Sequence, residues 1–162
     1  MADYDITKFC DKPCSITYGG TLLGGTDGPV KIQREDKTIE VTCNQAQGGT
    51  VAERIVEITM TVSAKFKEIS TALGLLLGTA KTITGAEIGT DVMAASNRKT
   101  LVLSEIGGTS VHTFSGMALK KPYEYEIDGT AEHGIELTFV GKLNNQCAPG
   151  DVLYAVTTAA GA

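Results

Sequence analysis

The chain has no tryptophan, only four prolines and two histidines, and aromatic residues make up 6% of it. Each scarcity removes a class of function. His112 and His133 sit in different segments, and neither has a second metal-type ligand at helical or hairpin spacing, so they read as surface or structural histidines. No long hydrophobic run exists: the most apolar stretch, Ala72 to Ala80, is far shorter than the ~20 residues needed to cross a bilayer. No cluster of basic residues is present and the net charge is -5, which excludes a surface that grips nucleic acid by releasing counterions from phosphates. The opening residues, MADYDITKF, are acidic where a secretion signal would be basic and lack the apolar stretch that must follow. The chain is expected to be made and kept in soluble form, with no membrane partner.

What is abundant is glycine, with 19 residues that outnumber the prolines and point to many turns between short elements. At 162 residues the chain is expected to form one domain, 1–162, with an N-terminal arm over 1–13 and a C-terminal extension over 144–162. It has core enough to fold without disulfides. CSITYGGTLLGG, from Cys14, reads as a hairpin turning at Gly19 and Gly20. Val30 and Ile32 alternate with Lys31 and Gln33, and Ile39, Val41 and Cys43 with Glu40 and Thr42, giving two strands joined by an exposed connection, REDK. After the polar link NQAQGGT, the run Glu57 to Lys67 alternates without a break. Ile58, Met60, Val62, Ala64 and Phe66 share one face, with Glu57, Thr59, Thr61, Ser63, Lys65 and Lys67 on the other. Such a strand spans roughly 35 Å, which suits an extended sheet. Ile69, Leu73, Leu76 and Leu77 then recur at helical spacing before Gly78, predicting one short amphipathic helix on the sheet. TLVLSEI, TSVHTFSGMAL, YEYEI and IELTFVGKL complete a mainly β pattern, and the tail TTAAGA is expected to fray.

Catalytic chemistry finds no purchase. Glu124 and Glu126 share one strand face, whereas acid–base work needs carboxylates facing each other across a cleft. The glycines of GGTLLGGTDG precede a strand rather than the helix that a phosphate loop requires. No serine lies in a nucleophile elbow, and no cysteine has a histidine close by in sequence. Cys10 and Cys14 have the spacing of half a zinc site, but Cys43 and Cys147 are isolated, so the second ligand pair is missing. No catalytic residue, metal or cofactor is assigned.

The order of features resembles the tail tube proteins of tailed bacteriophages, which are similar to the tube subunits of phage-derived injection machines. The resemblance rests on LLGGTDGPVKI, KTIEVTCNQ, AQGGTVAERI, the long alternating strand, the helix EISTALGLLLG, and YEYEI and IELTFVGKL, covering roughly residues 14 to 143. It implies an antiparallel β-sandwich or barrel-like fold with one flanking α-helix. Copies would form six-membered rings stacked into a hollow tube, assembled in the host cytoplasm and carried in the virion, through which DNA passes without specific binding. Tail sheath, tape measure, baseplate and tail terminator proteins become expected partners. On this reading Glu40, Glu57, Thr59 and Thr61 are candidates to face the lumen, where net negative charge would let DNA slide. Sheet edges that would be aggregation liabilities in a monomer become joints when a head-to-tail contact closes a ring. A secretion-system tube, a tail terminator, an unrelated β-rich binding domain and an enzyme with a dispersed site are the alternatives.

The cysteines are constrained by geometry. Pro13 biases Lys12 towards extended backbone, which holds the Cα atoms of Cys10 and Cys14 up to about 13 Å apart, beyond the roughly 7 Å a disulfide permits. They either remain free thiols, as in a reducing cytoplasm, or find partners elsewhere. Termini and strand-end loops are where tube subunits meet, so the resemblance implies that Cys10, Cys14, Cys43 and Cys147 form disulfides between subunits.

Overall fold

The computed structural model describes residues 14–26, 28–42, 50–66, 85–120, 124–126, 134–144 and 146–158. The elements among them are β1 (Cys14–Tyr18), β2 (Thr21–Gly25), β3 (Lys31–Thr42), β4 (Thr50–Phe66), β5 (Arg98–Glu105), β6 (Ser110–Leu119), β7 (Glu124–Glu126), β8 (Gly134–Asn144) and β9 (Tyr154–Thr158). All pair antiparallel in one sheet of order β2-β1-β5-β6-β8-β4-β3, with β7 on β8 and β9 on β6. The mainly β expectation therefore holds. The α-helix expected over Ile69 to Gly78 lies outside the described residues, which contain only the 3-10 turns Gly85–Glu87 and Ala95–Asn97.

Two local devices bend this sheet around a core. Directly after β2, Thr26 bridges Phe66 at the end of β4, and β3 then continues along the same edge of β4. The chain thus changes partner from β1 to β4, closing the path β2-β1-β5-β6-β8-β4 on itself, as a barrel requires. In β6, the register against β5 shifts between Lys99 and Leu101, where Gly116 adopts a φ of 69°. This is a glycine bulge. There β6 exchanges one neighbour for another: residues up to Phe114 pair with β9, and Ala118 and Leu119 pair with β8.

The alternation in β4 and β8 decides what lies inside. Met60, Val62, Ala64 and Phe66 pack with Ile135, Leu137 and Phe139, Ile16 and Tyr18 from β1, Leu101 and Leu103 from β5, and Phe114 and Met117 from β6. Each large apolar side chain buried in this way contributes about 1.5–3 kcal/mol relative to exposure. Packing leaves no space at Gly141, where an added Cβ would stand 2.4 Å from Met117 Sδ and 2.9 Å from Leu153 Cδ1. The two turn glycines of the β1–β2 hairpin, Gly19 and Gly20, have φ of 60° and 82°, as their reading as a tight turn required.

Three sequence expectations change. REDK is not a connection: it lies in the middle of β3, which runs unbroken from Lys31 to Thr42. The link AQGGTVAERI is strand from Thr50 onward, so β4 is longer than the alternating run alone. The C-terminal extension contains β9, and Thr157 and Thr158 of the supposedly frayed tail pair with Val111 and Ser110.

Candidate functional site

The polar face of β4 forms the centre of a broad surface. Register places Lys31, Gln33, Glu35 and Lys37 of β3 beside Ser63, Thr61, Thr59 and Glu57 on one side. Glu136, Thr138, Val140 and Lys142 of β8 lie beside Lys65, Ser63, Thr61 and Thr59 on the other. Ser63 Oγ and Thr138 Oγ1 are 3.2 Å apart, and Lys142 Nζ donates to Glu57 Oε1 at 3.4 Å. Thr59, Thr61 and Ser63 are half-buried among the longer charged side chains. Of the candidate lumen residues, Glu57, Thr59 and Thr61 share this face and Glu40 does not. Plain alternation along β3 puts Thr38 and Glu40 on the opposite side from Lys37, and a register shift between Lys37 and Thr38, which leaves Val56 unpaired, turns Ile55 and Glu53 to that side with them. Charges of both signs are mixed on this face. Lys31, Lys37, Lys65 and Lys142 more than balance Glu35, Glu57 and Glu136.

Beyond the root of this face, β3 and β4 leave the core together as a ribbon. Residues 33–40 of β3 and 52–55 of β4 are exposed on both sides, because only one strand flanks each of them. Glu40 stands directly opposite Glu53, whose Oε1 accepts from Thr38 Oγ1 at 2.5 Å. Arg34 donates to both oxygens of Asp36, at 2.7 and 2.9 Å. Ile39 is 49% exposed and Ile55 53% exposed, on opposite faces. The phase change explains the misread connection: Val30 and Ile32 follow the core-facing set, whereas Ile39 and Val41 fall on the other face of the same strand.

Elsewhere, the start of β5 and the end of β6 frame a cleft of about 340 Å³ lined by Tyr18, Thr90, Val92, Ser96, Asn97, Lys99 and Leu119. The Tyr18 hydroxyl lies 3.0 Å from the Asn97 carbonyl oxygen and 3.1 Å from that of Met117, sharing its proton between them. Burial raises the Tyr18 pKa, and the Lys99 ammonium stands 5.7 Å from its ring centroid. Among the described residues that line this cleft, no contact pairs a nucleophile with a base.

His112, one of the two histidines, is buried and structural. Its Nδ1 meets the Tyr154 hydroxyl, and Tyr154 stacks on Phe114 at 4.6 Å between centroids. His133 lies outside the described residues, as do Cys10 and Cys43. Cys14, on β1, and Cys147, in the loop before β9, are both half-buried. Among the described residues no group of three or more His, Cys, Asp or Glu is placed to hold a metal.

No family model and no curated protein matches the sequence. Solved structures do. The fold is shared with a tube-terminating cap. That protein, the cap of the anti-feeding prophage tube, matches with a TM-score of 0.56 and 10% identity, over 92% of this chain and 90% of its own. A chain of the native gene transfer agent virion gives 0.48 and 12%, over 90% and 95%. A chain from the tail of an empty gene transfer agent particle, refined helically with C6 symmetry, gives 0.46 and 14%, over 93% and 96%.

Proposed function

We propose that this chain is a structural subunit of a tail tube and acts by assembling with copies of itself rather than by catalysis. The observation that carries the reading is the fold shared, over nearly the whole length of both chains, with a tube-terminating cap. The ribbon supports it: two strands without a core of their own, showing isoleucine on both faces, are a structure that another surface completes. Among the described residues β3 and β9 pair along one edge only, and such edges supply joints for head-to-tail pairing.

In this reading six copies close a ring and rings stack into a conduit carried by a phage-like particle. The hydroxyl-rich face of Thr59, Thr61, Ser63 and Thr138 is the one suited to line it. Because lysine and glutamate balance there, DNA slides past a wall of low net charge rather than one that repels phosphate. Cys10, Cys14, Cys43 and Cys147 lock neighbouring subunits once the particle has left the cell.

The likeness to a cap also favours a second reading, a tail terminator that ends a tube instead of extending it. Negative-stain microscopy and sedimentation of the purified protein over a range of concentration separate the two. A tube subunit grows into stacks whose length rises with concentration, and a terminator stops at single rings. A monomer at every concentration and ionic strength overturns both.

A further inference from the structure

Past Glu57 little holds the ribbon in register. β8 stops pairing with β4 there, where Asn144 stands opposite Glu57, and the next residue, Val56, is the one left without a partner on β3. A second shift lies between Val41 and Thr42, so the two strands already slide past one another twice within the ribbon. Residues 33–40 and 52–55 are exposed, so no core selects which of their side chains point which way. A strand wet on both faces is weakly fixed in register, and a slip of one residue turns its side chains to the opposite face. A second register starts from the same Lys37–Glu57 pair. Continued without the bulge, it sets Thr38 across from Val56, Ile39 from Ile55, Glu40 from Arg54 and Val41 from Glu53. The polar residues do not decide between the two, because the adopted register has the Thr38–Glu53 hydrogen bond and Glu40 is already engaged in it. What the slip adds is a ladder position for Val56 and a cross-strand pair of two isoleucines that now stand 49% and 53% exposed on opposite faces.

We infer that the ribbon is a register switch, with the bulged register held by the free subunit and the slipped one selected on assembly. In the slip β3 stays in place and residues 52–56 of β4 turn over. Ile55 moves to the side of Thr59 and Thr61, where Ile39 and Val41 already lie, and Arg54 moves to the other. The ribbon then gathers its apolar residues on one face. A neighbouring copy that covers one face of the ribbon meets both isoleucines in the slipped form and only one in the bulged form. That difference in affinity is what shifts the population. The switch rests on the self-assembly reading above, and adds the state in which the ribbon joins its neighbour.

Isoleucine-methyl NMR of the wild-type protein reads the register directly, in solution for the free subunit and by magic-angle spinning for the assembled one. A contact between the Ile39 and Ile55 δ1 methyls requires the slipped register, because in the bulged one they lie on opposite faces. The contact is expected in assemblies and absent from the main state of the free subunit, whose residues 52–56 should show microsecond-to-millisecond exchange. Deletion of Val56 removes the bulge while keeping the adopted pairs. That variant should lose the exchange and assemble about 10-fold or more weakly, since the binding-competent state is gone. The same methyl contacts in free and assembled protein, whether Ile39 meets Ile55 in both or in neither, overturn the switch and leave the tube reading in place. A folded Val56 deletion that assembles like the wild type does the same, and if the deletion prevents folding the wild-type spectra decide alone. Wild-type protein that never assembles overturns both.

Discussion

His112 Nδ1 lies 2.8 Å from the Tyr154 hydroxyl, tying β6 to the short terminal strand β9 from inside the core. Burial lowers the His112 pKa, and the Glu105 carboxylate opposes that shift only in part. A histidine whose folded value falls below its unfolded value of about 6.5 binds fewer protons folded than unfolded between the two. Its contribution to stability is full above about pH 6.5 and is lost as pH falls below it. Urea unfolding at pH 7.5 and pH 5.5 should show a larger loss for the wild type than for His112→Gln; equal losses would remove His112 as the cause.

Tyr154→Phe isolates the other half of the pair. The ring stack on Phe114 is retained, but a buried imidazole nitrogen loses its partner, at a cost of about 1–3 kcal/mol. Hydrogen exchange should show the loss concentrated at the β9 amides that bond to residues 110 to 114 of β6. Uniform loosening of all strands would contradict a local tie.

Gly141 faces Met117 and Leu153 with no room for a methyl group. Gly141→Ala should destabilise by about 1–3 kcal/mol through overpacking. Because the nearest atom is a flexible thioether, the same change made on a Met117→Ala background should cost clearly less. Additive losses would mean that the strain lies in the backbone of β8 instead.

The face assignment of β4 is tested by two neighbours. Val62 is fully buried and Thr61 lies on the outer face beside Val140. Val62→Asp places a carboxylate in the core and should prevent folding, a loss above about 4 kcal/mol. Thr61→Asp should leave a folded subunit by circular dichroism. Equal tolerance of the two substitutions would refute the assignment.

Much of this fold could be read from period-two alternation. β4, β5, β6 and β8 each keep one apolar face against a single core, and Gly19 and Gly20 mark the first hairpin because only a positive φ turns so tightly. What escaped notice follows from the same rule. In β3 the apolar residues change face midway, since the strand leaves the core at Arg34, and a change of phase in one strand is indistinguishable by sequence from a break between two. β9 was missed because Tyr154 is its one firmly anchored side chain and its pairing comes from the backbone of β6. The nearness of Arg98 and Lys99 to Lys120 was invisible: they lie 22 and 21 residues from it in sequence, and antiparallel pairing of β5 with β6 brings their backbones together.

The two described cysteines differ in what surrounds them, and this orders their chemistry. Cys14 packs against the core, its amide donates to Thr26 Oγ1 and its carbonyl accepts from the Thr26 amide, so its strand is pinned on both edges. Cys147 sits in a loop, where its thiol reaches only the exposed Asn144 side chain at 3.7 Å. A thiol on a loop can move to meet the geometry a disulfide demands, and one fixed in a β-strand cannot. If subunits are stapled in the mature particle, Cys147→Ser should weaken the ladder seen on non-reducing electrophoresis more than Cys14→Ser does, and reductant should collapse the wild-type ladder. A single 17.0 kDa band from wild-type particles without reductant would show that the thiols stay free.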